Sequence, residues 1–598
     1  MKKTSALLRY LGSRLTFYPL FTGVAIASLC SFLTRTLFLM ADGQTYAPLS
    51  SLSLPVWALI LLGSTLVACL PPKPFWPLIC WLSWIFFSIP VMAANYYNTW
   101  MLTGVLFLAV LLTYMVWKDT KRLFRDNPRW VVSDIPCSQW IFGVIIGFVT
   151  FVPAFLLAYL GIYRYLAYYT PCFDFGIFTQ MFESMRTTFL PTTTCERYKE
   201  LSHFAVHLSP IYYVLLPIYC IFPSPVTLAL SQALVVASSV IPLVLIARRM
   251  EFSRWQTILA AICIAMYPAL HGGTFYDLHE NCFLTPLLLW FFYFLEKNSH
   301  LGMVLTSIGV FLVKEDAPVY IAFIALYLIF SNRKKLFGIG LLVLSVGYFF
   351  FALSLLAKYG EGAMNWRYMN LMLPGEDSLI YVVLNIVQNP AHALSVCFSA
   401  EKIEFLLQIF LPMAGAALLI KRADRIILLG PLVLITLLSD YVYQHSIYFQ
   451  YNFGIIAILF YLALLNLKDI APKFKQFILI VMATASVISY VALCSPYLSV
   501  GQAYETNQET IQIYNEAVEK IDGDRSVAAS TFLVPHLYDC KELYEVQYTS
   551  DTDQILLIIS DESGQEFYQY FLRTGSDYKV TWEVDGVIVL LEKETAQE

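Results

Sequence analysis

The chain has 598 residues, of which 58% are hydrophobic and only 13% charged, about half the charge of an average globular domain. That balance excludes an ordinary soluble enzyme, a disordered chain and a disulfide scaffold. The net charge of −4 hides a division: from Gly501 onward there are 6 basic and 20 acidic side chains, and before it 32 basic and 22 acidic. A body with basic loops and an acidic, water-facing end implies two solvents. The acidic end also argues against nucleic acid as a partner, because it would repel phosphates.

Apolar runs near 20 residues recur along the chain, long enough to cross about 30 Å of hydrocarbon. The N-terminus, with Lys2, Lys3, Arg9 and Arg14, leads into the first, from about Leu15. It reads as a retained helix rather than a cleaved signal. Further runs lie near 53–70, 75–94, 99–117, 140–163, 226–247, 255–270, 281–296, 301–313, 317–330, 336–357, 404–420, 426–440, 447–466 and 476–494. The fold class expected is a polytopic α-helical membrane protein of roughly 15 transmembrane helices. Ile211–Phe222, short and rich in Pro and Tyr, reads as re-entrant or interfacial.

Placing the N-terminus in the cytoplasm makes successive loops alternate between basic and non-basic. The inner set includes Lys73, the run Lys118 to Arg129, Arg248, Arg249, Arg254, Lys297, Arg333 to Lys335, Lys421, Arg422, Arg425, Lys468, Lys473 and Lys475. An odd number of spans then puts the acidic end outside. Two outer loops are long, about 164–209 and 358–403, and loops of that length are usually functional or disordered. Cys172 and Cys195 flank one polar stretch of the first and could pair in an oxidising compartment. Three divisions follow: residues 1–135 as N-terminal extra helices, 136–498 as the transmembrane core, and 499–598 as a small extracytoplasmic α/β domain. In the last, Glu505–Lys520 has helical periodicity, Ser526–Ala529 and Gln554–Ile559 read as strands, and Tyr578–Val584 with Val587–Leu591 reads as a hairpin about Asp585-Gly586.

Polar clusters fall at the outer ends of spans. Asp174 with His203 and His207 lies in the first long loop; Asp277, His279 and Glu280 follow; then come Lys314, Glu315 and Asp316, and lastly Asp440 with His445. Each has a structural reading beside the functional one. Asp174 could cap the next helix, and Asp277 to Glu280 could form a solvated turn at a helix start. Three consecutive ionisable residues between apolar runs, as at Lys314–Asp316, are costly unless they face water or pair with each other. His203 and His207, spaced i, i+4, could share a face as metal ligands or as hydrogen-bond donors. His536, after Pro535, is a candidate contact for a partner molecule or a packed turn.

Several strings are similar to the domain-of-unknown-function 2079 family of bacterial membrane proteins: Phe173–Gln180, His203-Phe204 through His207-Leu208-Ser209-Pro210, Tyr276–Glu280, Lys314–Pro318, Ser526–Ser530 and Leu533–Leu537. They keep their order from about residue 140 to 592. That family resembles the GT-C glycosyltransferases, polytopic enzymes that take a sugar from a polyprenyl-phosphate donor at the outer membrane face. The resemblance implies a GT-C-like fold in the cell membrane of a bacterium and a catalytic carboxylate in the first long outer loop, where Asp174 stands. It implies as partners a polyprenyl-phosphate sugar, membrane lipid, and a glycan, lipid or protein acceptor. The family's usual loop has one His-Phe-Ser-Pro, whereas here a second histidine, His207, intervenes, leaving open which histidine inherits its role.

Sugar transfer builds positive charge at the anomeric carbon and negative charge on the leaving phosphate. It calls for a carboxylate base, a role for Asp174, and a cation at the phosphate, a role for Lys314, Arg164 or Arg186. Glu315, Asp316, Asp277, His279, Glu280, His203 and His207 would support these groups or hold a divalent cation such as Mg or Mn. The alternative class is a transporter or flippase for a lipid-linked or small anionic solute.

Overall fold

The computed structural model describes residues 137–594 apart from 363, 550 and 574–576, and before them 18–27, 29–30, 54–70, 76, 79–84, 105–106, 109–111 and 113–114. Lys73, the basic run 118–129, most of the expected spans 75–94 and 99–117, and the charged residues before position 18 lie outside the described residues. Among those described, five helices are long and apolar enough to cross a membrane: Gln139–Leu166, Pro225–Arg249, Lys335–Tyr359, Gln450–Lys468 and Phe474–Leu493. Shorter apolar helices, including Arg254–Ala265, His300–Phe311 and Pro318–Phe330, lie among them.

Burial sorts the long helices. The Gln450–Lys468 span is 94% buried inside the bundle, whereas Gln139–Leu166 is only 17% buried. The latter exposes Trp140, Phe148, Phe151 and Phe155, an apolar face that needs a lipid rather than a water neighbour. Its Ser138 caps the start, accepting from the backbone N–H of Ile141. The central helix is apolar all round, as a helix enclosed by others should be.

Some expected elements differ. The run expected at 404–420 is a helix only over Ala400–Phe410, and 426–440 is built from a 3-10 turn (Ala423–Leu429) and a π turn (Leu432–Leu437). Ile211–Phe222 is a 3-10 turn, Pro210–Val214, leading into a short helix, Leu216–Ile221. In the second long loop, helices Leu379–Gln388 and Pro390–Cys397 meet at 106°, the bend falling where Pro390 cannot donate to the ladder.

The C-terminal residues form a five-stranded sheet. Its strands are β3 (Val527–Ala529), β4 (Leu543–Glu545), β5 (Gln554–Ile558), β6 (Tyr578–Val584) and β7 (Ile588–Lys593), ordered β4-β3-β5-β7-β6. β3 pairs in parallel with β4 and β5, and β5–β7–β6 is antiparallel. The expected strands and the Asp585-Gly586 hairpin are present, with Gly586 at φ +69° as its turn demands. The expected 505–520 helix is Gln508–Glu519, preceded by a separate helix Val500–Thr506. Strand β4 and helix Glu562–Phe571 were not evident from alternation, β4 being three residues long.

This sheet is docked on the first long loop. Inside that loop the strands β1 (Thr192–Thr193) and β2 (Leu201–Ser202) pair. Buried Gln180 accepts from Thr193 Oγ1 and the Thr194 N–H, and its amide donates to Thr194 Oγ1 and to the Cys540 carbonyl. Thr194 in turn donates to the Leu543 carbonyl at 2.6 Å and accepts from the Leu543 N–H. His536 is the packed turn of the two readings: its ring stacks on Tyr165 and Tyr168, at centroid distances of 4.2 and 3.7 Å, and burial pushes its imidazole down to about 3. Cys172 and Cys195 are both buried free thiols.

Because Gln180 satisfies donors and acceptors on both sides of this seam, Gln180→Ala is expected to cost about 1–3 kcal/mol. Proteolysis within residues 500–598 should quicken while the helical core stays resistant. Unchanged proteolysis of the tail would show that the seam does not hold it.

Candidate active site

Asp174 sits in a π turn, Cys172–Gly176, that interrupts the chain just before helix Ile177–Thr188. Its backbone is at φ 63°, ψ −69°, outside the regions that L residues prefer. The next helix starts at Gly176 with no side-chain cap, so the capping reading of Asp174 is not realised. The backbone is instead held in a region that costs about 1–3 kcal/mol and tends to persist only where the surroundings impose it. Gly176 is required here, since a Cβ would meet Val534 at 2.9 Å.

Asp277, Glu280 and Lys314 are not a solvated turn and a solvated run; all are buried. Asp277 also has positive φ, 55°. Arg164, at the last turn of Gln139–Leu166, reaches it with Nε 3.4 Å from Oδ1. Lys314 does not pair within its own run: its Nζ lies 2.9 Å from Glu280 Oε1. Tyr212 donates to Glu280 Oε2 at 2.7 Å, and the Glu280 N–H donates back to the phenol oxygen. Glu315 pairs with His207, Nδ1 to Oε1 at 2.9 Å, and accepts from the Leu208 N–H. His203 pairs with Glu196 at 2.8 Å. The two histidines therefore serve different carboxylates, their ring centroids 6.0 Å apart.

Burial alone would raise the Glu280 carboxyl, but the imidazole of His279 and the ammonium of Lys314 outweigh it and hold the group well below the ordinary carboxylate range. Burial also presses His279 toward its neutral form, which leaves Lys314 as the full charge that keeps Glu280 ionised. Lys314 is held protonated against burial by Glu280, Glu315 and Asp316. Glu315 goes down to about 2, the opposing effect of burial overcome by His207 and Lys314. Glu196 is held low by His203 and raises it in return, both against burial. Asp174 goes the other way, up to about 7, through burial and the negative charge of Glu280, with Lys314 opposing. Asp277 is likewise raised by burial more than Arg164 lowers it. Among these carboxyls Asp174 and Glu315 are partly exposed, and of the two Asp174 has no ion pair among the described residues.

The sequence-picked residues thus converge, with exceptions. Arg186 lies on the exposed end of its helix, bonded to Glu183. Asp440 and His445 lie to one side; His445 lines a separate cavity of about 340 Å³ with Glu401, Glu404 and Tyr448, which does not include Asp174. Sequence reasoning passed over Glu196, Tyr212, Arg367 and Tyr451, and gave no role to Tyr276 or Tyr441, which stand beside Asp277 and Asp440. Tyr276 and Tyr451 lie within electrostatic reach of Asp174. Their signal was available as charge or hydroxyl among apolar residues, but tyrosine is too common here (39 residues) to single any out. As for a divalent cation, no three His, Cys, Asp or Glu side chains gather as a ligand set among the described residues. Glu315 is committed to His207 and Leu208, so this donor set does not fit the expected metal.

Removing Lys314 would leave Glu280 buried and uncompensated. Lys314→Met should therefore lower stability by about 3–5 kcal/mol, read as thermal unfolding in detergent, and Glu280→Gln in the same chain should restore much of it. A double variant as unstable as the sum of the singles would show that the two do not act as a pair.

Two solved structures are similar in part. ArnT from Cupriavidus metallidurans bound to undecaprenyl phosphate gives 11% identity and a TM-score of 0.47, over 74% of this chain and 98% of that one. The apo state of the same protein gives 10% and 0.42, over 74% and 97%. No curated protein matches. The family model described as "Predicted membrane protein (DUF2079)" matches residues 164–589, a stretch that holds the buried cluster and the docked sheet as far as the start of its last strand; the chain belongs to the DUF2079 family of membrane proteins.

Proposed function

We propose that this protein is an integral-membrane glycosyltransferase with a GT-C-like core, moving a sugar from a polyprenyl-phosphate donor to a cell-envelope acceptor at the outer face of the membrane. The observation that carries the reading is Asp174: a partly exposed carboxyl on strained backbone, with its proton affinity raised to about 7 beside the Glu280–Lys314 pair. A general base works best when its pKa lies near the working pH. Strained backbone at a titratable group is also more common at sites of chemistry than in framework turns.

In the proposed reaction the acceptor hydroxyl oxygen attacks the anomeric carbon. The bond from that carbon to the phosphate oxygen breaks, and its electron pair leaves with the phosphate. The hydroxyl proton passes to the Asp174 carboxylate. This is a single displacement with inversion, and it routes nothing through a metal. Lys314 and Arg164 are the cations proposed to offset charge at the phosphate from a distance, each remaining paired with its own carboxylate. Arg186, exposed on Glu183, is left with a part in recruiting the donor. Transport is the second reading, and the bent pair Leu379–Gln388 and Pro390–Cys397 favours it, since broken helices line transporter sites. Against it, the ionisable residues sit at the ends of helices rather than at mid-depth.

The test is membranes containing the protein, incubated with a panel of radiolabelled polyprenyl-phosphate sugars. Donor consumption is expected for the wild type and its loss, by about 100-fold or more, for Asp174→Asn at equal expression. Since only the ionised carboxyl accepts a proton, and the folded value lies above the ordinary 3.8 at about 7, the rate should climb with pH and reach half its plateau near 7. Full activity in the asparagine variant would remove Asp174 as the base, and accumulation of intact donor across vesicles would favour transport.

A further inference from the structure

Every buried cation near the cluster has an oxygen partner except one. Arg164 has Asp277 and Lys314 has Glu280, while Lys402 donates to the Leu437 carbonyl. Arg367, in the 3-10 turn Asn365–Leu371 of the second long loop, is 8% exposed and forms no ion pair among the described residues. Its Nε has no hydrogen-bond partner, and its Nη2 meets the sulfur of Met364 at 3.1 Å. The guanidinium is instead caged by aromatic faces, 4.8 Å from the Tyr441 centroid, 5.3 Å from Tyr451 and 5.5 Å from Trp366.

The cage is fixed in place. The Arg367 carbonyl accepts from the Asp440 N–H at 2.8 Å and from Ser439 Oγ at 3.2 Å, so the turn cannot swing the side chain out to water without breaking both. Ring faces attract a cation but do not replace the lost hydration of a buried guanidinium. A planar fork of N–H donors whose Nε lacks an acceptor and whose Nη2 has only a sulfur matches an oxyanion. The cage is also joined to the cluster: Tyr451 lies within electrostatic reach of Arg367, Lys314 and Asp174 together. Around the buried charge the same loop exposes Trp366, Met369 and Leu373, an apolar rim suited to a hydrocarbon chain.

We infer that Arg367, in its cage of Trp366, Tyr441 and Tyr451, is the phosphate-binding group of this protein and takes the headgroup of a prenyl-chain phosphate whose tail lies over Met369 and Leu373. The inference deepens the proposed function and rests on it for the choice of a prenyl tail. Arg367 is then the residue that fills the phosphate role, with Lys314 holding Glu280 in place behind it.

The experiment is equilibrium binding of 32P-labelled decaprenyl phosphate to the purified full-length protein in detergent. The wild type should bind saturably, Arg367→Gln at least about tenfold more weakly, and Arg367→Lys between the two, because it keeps the charge and loses the fork. Thermal stability of Arg367→Gln should change little, since the variant removes a buried guanidinium without a direct ion pair but also the positive charge within electrostatic reach of Asp316. On the wild type, unlabelled decaprenyl phosphate should compete, and decaprenol, lacking the phosphate, should not. Competition by inorganic phosphate as strong as by decaprenyl phosphate would overturn the prenyl tail, and competition by phosphatidylglycerol as strong would overturn its specificity. Equal binding by Arg367→Gln, or equal competition by decaprenol, would overturn the site. Arg367-dependent binding without any sugar transfer would keep this inference and remove the enzyme reading; transfer that depends on Asp174 with unaltered Arg367→Gln binding would do the reverse.

Discussion

The contact between Lys314 and Glu280 organises the region around it. Each is among the most buried ionisable groups of the chain, and neither could remain charged there alone. Together they fix the turn before Pro318–Phe330 to the turn before Leu284–Glu296, and Tyr212 ties the Pro210–Val214 turn to the same carboxylate. The negative charge so fixed is also what raises the neighbouring Asp174. One ion pair thus shapes both the packing of three segments and the acid–base character of a fourth.

A second constraint is charge allocation. Glu315 and Glu196 are each matched to a histidine, and Asp277 to an arginine. Matched charges are framework, since each is satisfied without a ligand. What is left over among the described residues is two carboxyls, Asp174 and Asp316, and one guanidinium, Arg367, and Tyr451 lies within electrostatic reach of both Asp174 and Arg367. A site that is to hold a molecule with both a hydroxyl to be deprotonated and an anion to be held needs that kind of remainder.

Much of this was legible in the sequence, and the reasons for the rest are physical. Apolar run length located the five long helices because hydrocarbon thickness sets a length. Runs such as 404–420 failed as helices since apolar composition alone cannot distinguish a span from a buried irregular stretch; the helix there ends at Phe410, just before Pro412, which has no N–H for the ladder. Asp174, Asp277, Glu280, Lys314 and Glu315 stood out as ionisable residues in apolar surroundings. Their pairing did not: nothing local joins Lys314 to Glu280 or Glu315 to His207, and adjacency in sequence suggested partners within the run. Arg367 was hidden for the opposite reason, its partners being tyrosines 74 or more positions on, common residues whose ring faces carry no sequence mark.

The seam between the first long loop and the C-terminal sheet has a consequence for biosynthesis. Gln180 and Thr194 bond to Cys540 and Leu543 across separations of 360 and 349 residues. A ribosome adding about 5–20 residues per second exposes the loop tens of seconds before those strands exist. During that interval the polar atoms of Gln180 and Thr194 lack their mates, and the wall behind the Asp174 turn is unfinished. A nascent chain would therefore carry its helices before the surroundings of the Asp174 turn are complete, and that turn is walled in only once residues 527–545 have been made.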